Sequence, residues 1–311
     1  MRNSESKSNL RSGHVALLGR PNVGKSTLLN KILGEAVSIV TNKAQTTRDR
    51  VCGILTEPGY GQIVFHDTPG IHRAKKGGVN ERMVEVAWQT VEDADLVWYC
   101  IDPASKLQAE KIIIDQLNQL GPEKKIALIY TKMDLPKAKE KVTDLDNEIQ
   151  KSLSRKIDQF QIASRKNQGV GDLLGWTWEQ LPFRSFDYPI EDGEAVLSNR
   201  PVRFFVAELV RKQLFLQLGE ELPYSCAVEV QHYQESETMD RIEAVIYVER
   251  ESQKPMVIGK GGEKIKMIGQ KSRLEIEKLV GKKIFLGLKV KTKRNWTKDE
   301  EALNQWYPRA I

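Results

Sequence analysis

The chain has 311 residues, of which 40% are apolar and 29% charged, and it carries a net charge of +6. That length suits two domains, and the composition excludes wholesale disorder. No apolar run reaches the ~18–20 residues of a membrane span. The start, Met1 to Gly13, is polar and lacks the apolar stretch of a signal peptide. The cysteines Cys52, Cys100 and Cys226 are far apart and show no metal spacing. The expectation is a cytoplasmic protein without disulfides or a zinc site.

In chain order, strand-like and helix-like patterns alternate over residues 14–181. The apolar run His14–Leu18 predicts a strand ending at Gly19, and Leu28, Leu29, Ile32 and Leu33 have helical spacing. Residues 50–56 and 62–67 read as strands joined by a turn at 58–61, and 80–92 as a helix. The apolar runs 95–101 and 125–131 suit buried parallel strands. Helices are expected at 107–120 and 137–156, a weak strand at 159–163, and a last helix at 170–181. This order predicts an α/β unit with a parallel sheet covered on both faces. Prolines and acidic residues between Pro182 and Pro201 predict a linker. A different order follows: a helix at 202–218, alternating strands at 225–232 and 242–249, and a short apolar piece. After a glycine turn come a helix through Ile265, Ile268, Ile276 and Leu279 and a strand through Ile284 and Val290. That αββααβ order is a compact α+β unit. The expected divisions are a polar tail over 1–12, a nucleotide-binding domain over 13–182, a linker over 183–200, an α+β domain over 201–290 and a basic tail over 291–311. The basic excess sits late: from Glu251 on, 15 Lys+Arg face 7 Asp+Glu. Such a surface favours a polyanion, although a solvated lysine-rich face gives the same count.

Gly19-Arg20-Pro21-Asn22-Val23-Gly24-Lys25-Ser26, followed by Thr27, fits GxxxxGK[ST] between a predicted strand and a predicted helix. Its backbone N–H groups and the helix N-terminus favour phosphate oxygens. Lys25 bridges the β- and γ-phosphates in this reading, and the Ser26 hydroxyl ligates Mg²⁺. Asp67-Thr68-Pro69-Gly70 ends the next parallel strand; Asp67 can hold Mg²⁺ and the Gly70 N–H can sense the γ-phosphate. Thr131-Lys132-Met133-Asp134 ends another, where the Asp134 carboxylate matches the N1–H and exocyclic amine of guanine, a donor pair that adenine lacks. Lys132 can pack along the base, and the Ala163-Ser164 backbone can reach the guanine oxygen. Each fragment alone is weak; in this order, at strand ends, they lie on one sheet edge and point to a guanine nucleotide. The polar stretch 34–50, with Gln45-Thr-Thr-Arg-Asp49, is read as a switch loop; Thr47 is the first choice for a Mg²⁺ ligand and Thr46 the second.

The segments GRPNVGKST, QTTRD, DTPGI and TKMD resemble the Era group of translation-factor-class GTPases. The stretches 214–225 and 257–266 are similar to the Era RNA-binding domain. The resemblance covers about residues 12–308. It implies a P-loop GTPase domain followed by a type II KH domain, acting with GTP, GDP and Mg²⁺ in assembly of the small ribosomal subunit. It further implies binding at the 3′ end of small-subunit ribosomal RNA and allows peripheral contact with the cytoplasmic face of the inner membrane; a monomer is expected. Lys25, Thr47 and Gly70 are the residues expected to carry hydrolysis. Ile71 stands near the place of a water-orienting glutamine, so the resemblance implies a slow enzyme. An asparagine at the place of Asn22 helps hold K⁺ in related GTPases. Two positions depart: Thr131 replaces the usual Asn, which predicts a weaker tether to the phosphate loop, and Ala163-Ser164 replaces Ser-Ala. Gly259-Lys260-Gly261-Gly262 fits the GxxG loop of a KH fold, which clamps about four nucleotides of single strand. Lys264, Lys266 and Lys271 are candidate phosphate contacts, Val257, Ile258 and Ile265 a candidate floor under the bases, and Trp296 and Trp306 packing residues or stacking platforms. A competing reading is an RNA-binding chaperone in which GTP is mainly structural.

Overall fold

In the protein's structure, a computed structural model, residues 10–307 are described apart from Asn42, Ala44, 73–76, 191–194 and Glu220. The polar tail is therefore described only from Leu10, and the basic tail only to Tyr307.

The first unit runs β1 (Arg11–Gly19), α1 (Lys25–Leu33), β2 (Val51–Glu57), β3 (Gly61–Asp67), α2 (Val79–Asp93), β4 (Leu96–Ile101), α3 (Leu107–Leu117), β5 (Lys125–Tyr130), α4 (Ala138–Ser152), β6 (Asp158–Gln161) and α5 (Val170–Gln180). Its sheet has the order β2-β3-β1-β4-β5-β6. Side chains alternate across each strand, and here both faces are apolar. Ala16, Leu18, Val97, Tyr99, Leu128 and Tyr130 face α2, α3 and α4 through Val91, Ile113, Leu117, Leu145 and Ile149. Val15, Leu17, Trp98, Cys100, Ala127 and Ile129 face α1 and α5 through Leu28, Leu29, Val170 and Leu173. Burial on both faces explains why β4 and β5 read as unbroken apolar runs.

The second unit runs α6 (Val202–Gln217), β7 (Cys226–Gln234), β8 (Asp240–Val248), α7 (Lys254–Ile258), α8 (Glu263–Val280) and β9 (Ile284–Thr292), and α9 (Glu300–Trp306) follows. Its sheet order is β7-β8-β9, with β7–β8 antiparallel and β8–β9 parallel. Val206, Val210 and Leu214 of α6 and Ile268 and Ile276 of α8 cover one face through Cys226, Ile242, Ile246 and Val248.

Three features depart from the periodicity reading. The first sheet is not wholly parallel: β2 pairs antiparallel with β3, as their short connection requires. The proline-rich stretch is not a free spacer over its described residues. Tyr188 exchanges two hydrogen bonds with the Gln62 side chain (3.0 and 2.6 Å), and the Ile54 N–H donates to the Leu197 carbonyl at 2.9 Å. It covers the otherwise open β2 edge, which composition does not reveal. Residues 291–307, expected as a tail, finish β9 and fold back. Trp296 is fully buried and donates from its indole N–H to the Ser225 carbonyl at 3.0 Å, so it packs rather than stacks on bases. Trp296, Ala302, Leu303 and Tyr307 form one apolar cluster with Val79 and Met83 of α2 and Ala227 of β7, and this cluster joins the two units.

Candidate functional site

Loops leaving β1, β3 and β5, the turn after β6, and the stretch between α1 and β2 converge on a cavity of about 430 Å³ at the carboxyl ends of the strands. Pro21, Asn22, Gly24, Lys25, Ser26, Thr27, Thr46, Thr47, Gly70, Thr131, Lys132, Asp134 and Ser164 line it. Such an edge is where open α/β sheets bind ligands.

At one end the Lys25 amine is buried, 3.1 Å from the carbonyls of both Gly19 and Arg20. Burial lowers its pKa, against the opposing pull of Asp67. These carbonyls are neutral, so the Lys25 ammonium and the α1 N-terminus together suit an anion. The loop after β3 lies directly on this turn: the Ile71 N–H donates to the Gly19 carbonyl at 3.0 Å, and a Cβ on Gly70 would sit 2.4 Å from the Pro21 nitrogen.

Asp67 lies beneath. Its Oδ2 accepts from Ser26 Oγ at 2.5 Å and Ser38 Oγ at 2.7 Å, and Thr47 Oγ1 stands 3.2 Å from Ser26 Oγ. Its Oδ1 is buried without a hydrogen-bond partner. Burial raises the carboxyl pKa, while Lys25 and the hydroxyls of Ser26, Ser38 and Thr47 pull it back. A buried carboxylate with one unmatched oxygen among hydroxyls is a hard-oxygen donor set, and it fits Mg²⁺. The Thr46 hydroxyl is instead engaged with the Lys43 carbonyl at 2.7 Å and Thr41 Oγ1 at 2.6 Å.

At the other end, the Thr131 hydroxyl contacts the Val23 carbonyl and lies 3.1 Å from that of Ile101. The shorter Thr131 side chain thus still reaches the phosphate loop directly. Lys132 pairs with Asp102 at 2.9 Å. The Ala163 N–H donates to the Gln168 carbonyl at 3.1 Å, and that turn contributes Ser164 and Arg165 to the cavity. Several motif side chains hold the loops rather than line the cavity. Val23 and Ile71 are in the core, Met133 packs against it, Ala163 is buried, and Thr68 donates to the Leu17 carbonyl at 2.6 Å.

In the second unit, Gly259, Gly261 and Gly262 join α7 to α8 with φ of 79°, 59° and 82°. That left-handed run favours glycine, and it brings backbone to the surface. Lys260, Lys264, Lys266 and Lys271 are exposed around it. Val257 is fully buried in the core and offers no floor to a base; Ile258 and Ile265 are partly exposed. Trp306 packs on Tyr247 with ring centroids 4.7 Å apart.

Sequence reasoning gave no role to two residues at the first site. Ser38 holds Asp67, and its backbone is clamped on both sides by the Asn30 side chain (2.6 and 2.8 Å). Arg48, next to Thr47, leaves the first unit entirely and ends in the second. Neither carries a local signal, because each partner is distant in sequence or on the other unit.

A family model described as a 50S ribosome-binding GTPase matches residues 14–132, and a KH-domain model matches residues 221–297. GTPase Era of Nitratidesulfovibrio vulgaris is 43% identical over 94% of this chain and 95% of its own length. A chloroplastic GTPase ERA-like protein of Oryza sativa is 39% identical over 96% of this chain and 69% of its own length. A solved structure of Era with MgGDPNP and nucleotides 1506–1542 of 16S ribosomal RNA is 34% identical, with a TM-score of 0.88, covering 97% of this chain and 100% of that one. A variant of Aquifex aeolicus Era bound to GDP and AlF4⁻ is also 34% identical, with a TM-score of 0.87 and the same coverage. With a curated GTPase Era 43% identical over 94% of this chain and 95% of its own length, and a solved Era structure covered along its whole length, the chain belongs to the Era family of GTPases.

Proposed function

We propose that this chain is a slow, Mg²⁺-dependent GTP switch that grips single-stranded RNA at the 3′ end of small-subunit ribosomal RNA and assists maturation of that subunit. The carrying observation is that Lys25, Ser26, Thr47 and Gly70 line one end of a single cavity, above Asp67, and Asp134 and Ser164 the other. A nucleoside triphosphate of guanine has matching ends. Gly19 to Thr27 cradle its phosphates, with Lys25 on the β- and γ-groups. Ser26, Thr47 and Asp67 would hold Mg²⁺, which would supply positive charge against the negative charge of the phosphates. The Gly70 N–H meets the γ-phosphate. Ile71 is buried and carries no group that orients water, so backbone of the switch loop at 34–50 and of the turn after β3 takes that part. Hydrolysis frees the switch loop at Thr47 and changes the hold on RNA.

The RNA reading rests on the glycine loop. Gly261→Asp suits the test: φ at this position is 59°, which Asp tolerates better than most residues, and a Cβ meets open space. The variant places a carboxylate where phosphates are to lie. Retention of a labelled RNA ending in the 3′ sequence of the small-subunit RNA should fall about 100-fold, with GTP affinity unchanged. Wild-type retention removes the loop from the RNA path. Equal retention by the parent protein with GTP analogue and with GDP favours the chaperone reading.

Two finer readings rest on the resemblance. Asn22, at φ 62° on the cavity rim, is the residue for a K⁺ ion that takes the place of an arginine finger. Hydrolysis should then run about tenfold faster in K⁺ than in Na⁺, and equal rates remove the ion. Peripheral membrane contact as a monomer is the other; among the described residues no helix is long and apolar enough to cross a membrane.

A further inference from the structure

Arg48 follows Thr47 in the switch loop, yet its guanidinium sits inside the second unit. Nη1 donates to the Cys226 carbonyl at 2.9 Å and lies 3.3 Å from the Tyr307 hydroxyl; Nη2 donates to the carbonyls of Tyr224 at 2.8 Å and Pro223 at 3.2 Å. The rings of Phe215, Trp296 and Tyr307 surround it at 5.8–5.9 Å. Arg48 is 3% exposed, and among the described residues its hydrogen-bond partners, three carbonyls and a hydroxyl, are all neutral. A desolvated guanidinium is costly to leave unpaired, so this cage is a specific receptor, and one built wholly by the second unit. The planar fork meets carbonyls from the turn entering β7 and a hydroxyl from the C-terminal segment. The same backbone holds Thr47 Oγ1 3.2 Å from Ser26 Oγ.

We infer that Arg48 is a positioning residue: its docking in the second unit holds Thr47 at the metal site, so that the RNA-binding unit completes the GTP-bound arrangement of the switch. The inference rests on the reading of Thr47 as a magnesium ligand. The two sites are one residue apart, so little slack separates them. Coupling is reciprocal: whatever stabilises the cage favours closure on magnesium, and closure favours the cage.

The test is a Mg²⁺ titration of binding of a fluorescent non-hydrolysable GTP analogue to the full chain. Arg48→Lys keeps the charge and loses the fork; it should raise the Mg²⁺ needed for half-saturation about tenfold, with GDP affinity unchanged. Tyr307→Phe keeps the ring and removes one acceptor, and should shift the titration about twofold the same way, which keeps the test alive if Arg48→Lys does not fold. In a Thr47→Ala background, which itself raises the Mg²⁺ requirement, Arg48→Lys should add nothing. If Arg48→Lys lowers only the melting temperature and leaves the titration in place while Thr47→Ala shifts it, Arg48 is merely glue between the units and the inference is overturned. If Thr47→Ala leaves the titration unmoved, the magnesium reading of Thr47 fails first, and the inference falls with it.

Discussion

Asp134→Asn should turn this GTPase into a xanthosine-nucleotide binder, weakening GTP about 10³-fold. Asp134 lines the cavity at the end away from Lys25, and among the described residues no protein donor is hydrogen-bonded to its carboxylate. Both of its oxygens are therefore available to a base. Guanine presents N1–H and an exocyclic amine side by side, a donor pair that matches a carboxylate. In the variant the amide N–H faces one of those donors, so one hydrogen bond is lost and two like groups are forced together. Xanthine carries a carbonyl where guanine has the amine, and the introduced amide can donate to it. Thr131 and Lys132 keep the loop in place, through Val23 and Asp102, so the variant should fold normally. Competition among GTP, XTP and ATP at fixed Mg²⁺ is the measurement. Unchanged GTP affinity would place Asp134 outside the base pocket and return the specificity to the backbone at Ser164.

Much of this arrangement is legible in the sequence, because its signals are local. The P-loop joins a strand and a helix that both show their own periodicity. Asp67 and Thr131 directly follow or end apolar runs that only a doubly covered sheet requires. The αββααβ order can be read from alternation at Ile242, Ala244, Ile246 and Val248 and from one glycine turn. What stays hidden depends on contacts made across the chain. Ser38 looks like any loop serine until it donates to Asp67. Trp296 could have served a base or the core, and only the packing of the C-terminal segment against Met83 and Ala227 decides. Composition marks 183–200 as a spacer, since proline and acidic residues say nothing of the open β2 edge. The early strand residues Arg11 to Gly13 are polar and small and give no periodic signal; their pairing with Gly61 to Ile63 comes from the backbone.

Gly70→Ala should lower single-turnover GTP hydrolysis about 100-fold and leave GDP binding within about threefold of the parent. The added methyl would lie 2.4 Å from the nitrogen and 2.6 Å from the Cα of Pro21. Both are backbone atoms of the phosphate loop, not the end of a side chain that can swing away, so one of the two loops must move. The phosphate loop is the better anchored: the Thr131 hydroxyl holds the Val23 carbonyl, and the Lys25 amine ties Gly19 to Arg20. On the other side, Thr68 is fixed to the Leu17 carbonyl and Asp67 to Ser26 and Ser38. The strain therefore falls on residues 69–71, whose tie to the phosphate loop is the Ile71 N–H on the Gly19 carbonyl. Displacing that turn carries the Gly70 N–H away from the terminal phosphate and leaves the groups that hold the other two phosphates and the base where they are. A shift of about 1 Å at such a contact costs about two orders of magnitude in rate. Hydrolysis at the parent rate would mean that the turn after β3 takes no part in the chemistry; a matching loss of GDP affinity would mean that the phosphate loop, not the turn, gives way.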